Sequence, residues 1–185
     1  MKDYIFRESV DYIQRKANII LSQISESDIH KLCEMFLSAK RVFVYGAGRS
    51  GLVAKAFAIR LVHLGFQTFV IGETITPPVR EGDLVIVVSG SGETIPCVMT
   101  AEIAHRLGAK VVAITRKRDS KISKYATLTL LLSVECDDKE RSSLAPLGTL
   151  FEASAWVLLD GIVAQLMALK GESEERMKER HATLQ

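Results

Sequence analysis

Cysteine is scarce: Cys33, Cys97 and Cys136 are an odd, widely scattered set in 185 residues. With no CxxC pair, the spacing argues against both a disulfide framework and a zinc cluster. His30 and Cys33 share one helical face, but no second ligand pair accompanies them, so they read as a surface histidine beside a core cysteine. Aromatics are also few, at 7 Phe, 4 Tyr and 1 Trp, which disfavours a base-stacking nucleic-acid platform. Neither sign of charge dominates: 24 basic and 22 acidic side chains leave +2, too balanced for a DNA-seeking surface. The apolar runs stop short of the roughly 20 residues that span a bilayer. Charges throughout residues 1–20 leave no visible secretory signal. What is present is ordinary: 48% hydrophobic and 25% charged residues, in a length that buries about 70% of its unfolded surface. The expectation is one reduced, cytoplasmic domain over 1–185, with neither nucleic acid nor membrane as a partner.

Hydrophobic spacing divides the chain into three parts. In residues 1–40, Val10, Ile13, Ala17, Ile20, Leu21 and Ile24 recur at helical intervals. Ser25–Asp28 then starts a second helix with Ile29, Leu32, Cys33 and Phe36 on its apolar face. Residues 41–132 alternate short apolar runs with helical segments: strands at 41–45, 68–71, 84–88, 111–115 and 128–132, and helices over 50–64 and about 95–107. Strands that are apolar throughout belong to a parallel sheet covered on both faces. The fold class is therefore α/β: a doubly wound, five-stranded parallel sheet sandwiched by helices, with extra N- and C-terminal helices. Polar residues 133–147 read as one long loop. Residues 148–185 supply an apolar helix closed by Gly171, then a charged segment with Glu172/Arg176 and Glu174/Lys178 at i,i+4 spacing.

Two glycine-serine loops follow strands directly. Gly46-Ala-Gly-Arg-Ser-Gly51 satisfies G-x-G-x-x-G between a strand and a helix, and Glu73 stands near where a ribose-binding acid sits in dinucleotide folds. An oxidoreductase is thus a serious rival reading, and simple tight-turn glycines are a third. Ser89-Gly-Ser-Gly-Glu-Thr94 weighs toward an anion site. Its glycines let backbone amides approach an anion at a helix start, and the hydroxyls of Ser89, Ser91 and Thr94 add donors without fixed charge. A dinucleotide enzyme has no need of this second cradle; a phosphorylated small molecule does, with Ser50 closing over it. The substrate-binding set is Gly48, Ser50, Ser89, Gly90, Ser91, Gly92, Glu93 and Thr94.

These two motifs resemble the sugar isomerase (SIS) domain. Arg60-Leu-Val-His-Leu-Gly-Phe66, Gly72-Glu-Thr-Ile-Thr-Pro77, Pro146-Leu-Gly-Thr-Leu-Phe-Glu152 and the terminal Arg180-His-Ala-Thr-Leu184 narrow the resemblance to the 6-phospho-3-hexuloisomerases. It covers nearly the whole chain, departing from the pattern at Ile75 and Pro78. The resemblance implies an SIS fold and interconversion of D-arabino-hex-3-ulose 6-phosphate with D-fructose 6-phosphate. It also implies a place in ribulose monophosphate metabolism, for formaldehyde fixation or pentose supply, and a homotetramer with active sites at subunit contacts. A sugar-phosphate sensor, the non-catalytic alternative, normally carries a DNA-binding domain for which residues 1–40 look too short.

The implied chemistry moves a proton between C2 and C3 through a cis-enediol and needs a positioned base. It also needs hydrogen bonds to the enediolate oxygens, but no metal and no organic cofactor. Glu152 opens the long C-terminal helix. By spacing alone it is equally a carboxylate favoured by the helix dipole; the resemblance places the family's proposed base here. His181 suits a proton relay between O2 and O3 near neutral pH, against the alternative of a solvated tail residue. Arg49 either steers the substrate dianion or pairs with Glu73 or Glu93. His63 faces the cleft or a neighbour, and His105 sits near a helix C-terminus.

Overall fold

Val42, Val44, Leu84, Ile86 and Val88 point to one face of the sheet, while Phe43, Val85 and Val87 point to the other, as strand alternation requires. Both faces are buried, so the strands are apolar at every position rather than at alternate ones. A computed structural model describes residues 4–184; positions 1–3 of the N-terminal segment lie outside the described residues. Helices α1 (Phe6–Ser22) and α2 (Glu26–Ser38) precede the sheet, and the Ser25 hydroxyl caps α2 by accepting the Asp28 amide. Then follow β1 (Val42–Gly46), α3 (Gly48–His63), β2 (Thr68–Val70), β3 (Leu84–Val88), α4 (Ile95–Arg106), β4 (Lys110–Thr115) and β5 (Leu128–Leu131). All pairings are parallel, in the spatial order β2-β1-β3-β4-β5.

The order reverses between β1 and β3, whose connections leave in opposite directions and open a crevice at their carboxyl ends. Register places Gly46 beside Val88, so the two glycine-serine loops emerge side by side. On one face α1, α2, α3 and the C-terminal helix α6 (Thr149–Lys170) share a core that contains Phe36 edge-on to Phe57 and Phe66. On the other, α4 covers Phe43, Val85 and Val87 with Cys97, Ala101 and Ala104.

Three expectations are revised. Residues 133–147 are not all loop: α5 (Asp138–Leu144) forms there, capped by the Asp137 carboxylate, which accepts the Lys139 and Glu140 amides. Its seven residues bury Leu144 alone, too little for apolar periodicity to reveal it. Second, α6 is long enough at 22 residues, and apolar enough in an 18-residue window of mean hydropathy 1.4, to cross a membrane. Half of its most apolar window is buried against the fold, which accounts for that apolarity in a core helix. Third, Glu172 does not pair with Arg176; it bonds Arg180 through both oxygens (3.0 and 3.2 Å) across α7 (Glu174–Glu179), whereas the Glu174–Lys178 pair does form at 3.0 Å.

Candidate active site

Gly46 and Gly51 set the first loop because strand and helix touch through them. A Cβ on Gly51 would meet the Gly46 carbonyl oxygen at 2.6 Å, and one on Gly46 would meet Ser50 O at 2.8 Å. Any side chain at either position would push α3 off β1. Gly48 begins α3 in the left-handed region (φ 59°), which a glycine adopts without strain.

The second loop is held by its own hydroxyls. Ser89 Oγ accepts the Gly92 amide at 3.2 Å, and Ser91 Oγ accepts the Glu93 amide at 3.2 Å. Ser91 and Thr94 hydroxyls stand 3.3 Å apart, and Ser89 Oγ donates to Thr94 Oγ1 at 3.5 Å. Each hydroxyl therefore braces the loop and keeps a rotatable proton that an anion can recruit. Thr94 is the N-cap of α4 but caps no amide with its side chain; Val98 is the first residue to bond back, to Thr94 O at 3.0 Å. Pro96 lies in the first helical turn, where its missing N–H costs nothing. Thr94 and Cys97 of this first turn line the same cavity as Ser89 and Ser91, so the positive end of the helix dipole adjoins it.

Glu152 enters from α6. Its amide bonds Gly148 O at 2.9 Å, and Gly148 leaves room for the carboxylate: a Cβ there would lie 2.8 Å from Glu152 Oε1. Arg49 Nε donates to Glu152 Oε2 at 2.5 Å, an ion pair in which the glutamate is mostly buried and the arginine is open to solvent. A cavity of about 180 Å³ brings Ser50, Ser89, Gly90, Ser91, Thr94 and Glu152 together. Ala47, Val88, Cys97, Arg116, Gly148 and Phe151 complete its lining. Cys97 is fully buried, which pushes its thiol pKa up, although the Ser89 hydroxyl and the Ala47 amide both favour its ionised form. Beyond Glu152 a wider trough of about 440 Å³ runs past Leu52, Val53 and Trp156.

Not every residue anticipated for the site lines it. Gly48 and Gly92 shape backbone instead; Gly92 holds φ 66°, and a side chain there would collide with Ser120 and Thr115. Glu93 turns outward: its carboxylate accepts the Lys121 amide and pairs with Lys121 Nζ, both at 3.1 Å, which holds its pKa below the usual range. Arg49 pairs with neither Glu73 nor Glu93, since Glu152 takes it; Glu73 pairs with Lys55 at 2.7 Å and stands outside the cavity. His181 stacks on His63, with ring centroids 5.0 Å apart, at the last residue of α3. Arg49 lies at the other end of that helix, about 24 Å long, so His181 does not reach Glu152 within its own chain. His30 is exposed beside buried Cys33, as anticipated. Cys97, Arg116, Gly148 and Phe151 escaped the sequence reading. Arg116 alone left a signal: it directly follows β4, at the strand end where such folds bind ligands. Among the described residues no group of three His, Cys, Asp or Glu side chains is placed to hold a metal ion.

Residues 35–170 match the family model described as the SIS domain. The chain is 41% identical to the 3-hexulose-6-phosphate isomerase of Bacillus subtilis over 165 residues, covering 88% of this chain and 89% of that one. It is 34% identical to the Methanocaldococcus jannaschii protein of the same name, over 86% of this chain and 85% of the relative. The crystal structure of a hypothetical Methanococcus jannaschii protein, from which a molecular function of 3-hexulose-6-phosphate isomerase was inferred, is similar at a TM-score of 0.86 and 31% identity. That similarity covers 96% of this chain and 99% of the other.

Proposed function

Because this chain belongs to the SIS domain family, and within it to the phosphosugar isomerases, we propose that it interconverts D-arabino-hex-3-ulose 6-phosphate and D-fructose 6-phosphate. The observation that carries this reading is one cavity holding both a hydroxyl-rich loop and a largely buried carboxylate. The hydroxyls of Ser50, Ser89, Ser91 and Thr94, with the start of α4, take the phosphate. Their dipoles suit a dianion, and the glycines between them let the backbone come close.

The anchored phosphate leaves C2 and C3 to the Glu152 end of the cavity. Glu152 removes the C2 proton of the 3-ketose, forming the C2–C3 enediolate, and returns a proton to C3 as the carbonyl moves to C2. Transfer between O2 and O3 completes the exchange, so the reaction is redox-neutral overall. Arg49, already on Glu152, places positive charge where the enediolate oxygen develops negative charge, and charge stabilisation of that kind is among the largest contributions to catalysis. The C6 oxygen of the 3-ketose carries the phosphate, so no ordinary furanose or pyranose ring has to be opened first. In this reading the reaction belongs to ribulose monophosphate metabolism.

A coupled assay for fructose 6-phosphate formed from the 3-ketose tests the proposal. Saturable turnover without added metal or nicotinamide is expected. Inactivity on this ketose alongside turnover of another sugar phosphate would move the substrate assignment elsewhere in the family.

A further inference from the structure

The Gly90 carbonyl, in the middle of the anion loop, is the wrong group to face a phosphate. It accepts the Arg116 amide at 3.1 Å and Arg116 Nε at 3.2 Å, with Thr115 Oγ1 at 3.5 Å. Those donors turn the carbonyl toward the end of β4 and offset its negative charge. The register explains the meeting, because Val88 pairs with Ile114 and Gly90 and Arg116 stand two residues further along each strand. Gly90 also has to be small: a Cβ there would meet Phe151 Cδ1 at 3.0 Å and Arg116 Nε at 3.4 Å.

Nε is one of five guanidinium donors, and the other four sit on the two terminal nitrogens. Arg116 lines the cavity, and among the described residues no carboxylate pairs with it, whereas Arg49 is engaged by Glu152. We propose that Arg116 is the cationic member of the phosphate site, tying the loop through Nε while its terminal nitrogens take phosphate oxygens. The inference rests on the phosphosugar reading above and deepens it. The hydroxyls and the helix start would accept many polar groups; a guanidinium fork adds fixed positive charge and favours a phosphate monoester dianion over an uncharged sugar. Lysine keeps the charge at this position but lacks the planar fork that holds the carbonyl through one nitrogen and the anion through the other two.

The test is calorimetric titration of fructose 6-phosphate into wild type, Arg116→Gln and Arg116→Lys at low and high salt, with folding checked by circular dichroism. Arg116→Gln should weaken binding by about 10- to 100-fold, the range for hydrogen bonds to a charged group. It should also flatten the salt dependence. Arg116→Lys should recover part of the affinity, and in turnover the loss should appear in KM with kcat near wild type. Unchanged affinity in Arg116→Gln would overturn the assignment. So would a lysine variant no better than the glutamine one, since that result makes the residue a support for Gly90 alone. Failure of wild type to bind any hexose phosphate would instead bring down the phosphosugar reading itself.

Discussion

Glu152 is placed by small residues rather than by large ones. Gly148 makes room for its carboxylate, Arg49 holds one oxygen, and the rest of the side chain is shielded in the crevice. The strained neighbour Leu147, a non-glycine residue at φ 57°, marks how sharply the chain turns into α6. Replacing Glu152 by Gln preserves shape and removes the proton acceptor. Turnover of the 3-ketose should then fall by about 100-fold or more, the scale of general-base catalysis. Calorimetric affinity for fructose 6-phosphate should stay close to wild type, because the proposed phosphate contacts come from Ser50 and the 89–94 loop rather than from α6. Near-normal turnover in this variant would remove Glu152 from the base role.

At the scale of elements, the C-terminal segment is tied down more firmly than its charged sequence suggests. Gly171 ends α6 in the left-handed conformation, and Ser173 caps α7. Arg180 then bridges Glu172 and the His63 carbonyl, so the tail closes over the end of α3. His63 lies 5% exposed beneath the His181 ring. Burial pushes its pKa below the ordinary imidazole value, and the charges of His181 and Arg60 push the same way. The unfolded chain therefore binds this proton more readily than the folded one. The contribution to stability is complete above the unfolded value of about 6.5 and drains as pH falls through the lower folded value. Scanning calorimetry should show Tm falling on acidification from neutral pH toward about 5, with a shallower slope in His63→Gln. Equal slopes would locate the acid sensitivity elsewhere.

For the whole molecule, apolar surface remains around the site. Leu52 and Trp156 are 64% and 48% exposed on the trough beside Glu152, and a second trough of about 510 Å³ lies among α1, α2 and α6. Patches of this kind mark interfaces, and closed symmetric assemblies of identical chains are the common outcome. A homotetramer is proposed in which His181 serves a neighbour's cavity, since α3 separates it from its own. Deleting residues 173–185 should abolish turnover while circular dichroism reports an intact sheet. Mixing that truncation with Glu152→Gln chains should restore part of the activity in verified mixed oligomers. Full activity of the truncation, or no recovery on mixing, would dismiss His181 from the chemistry.

Local patterns carried the elements. The five apolar runs, the glycines at Gly46, Gly51 and Gly92, and Thr94 beside Pro96 announce strands, tight turns and an open helix start, because each depends on neighbours a few positions away. The Ser89–Thr94 loop between β3 and α4 is legible for the same reason. Tertiary structure alone decided which polar groups meet: Arg49 with Glu152 across 103 positions, Arg116 with the Gly90 carbonyl across 26, and His63 with His181. A long side chain near several candidate partners carries no periodicity that selects one. Only the β1/β3 switch point, the sheet register and the packing of α6 against α3 bring the chosen partners within hydrogen-bond reach.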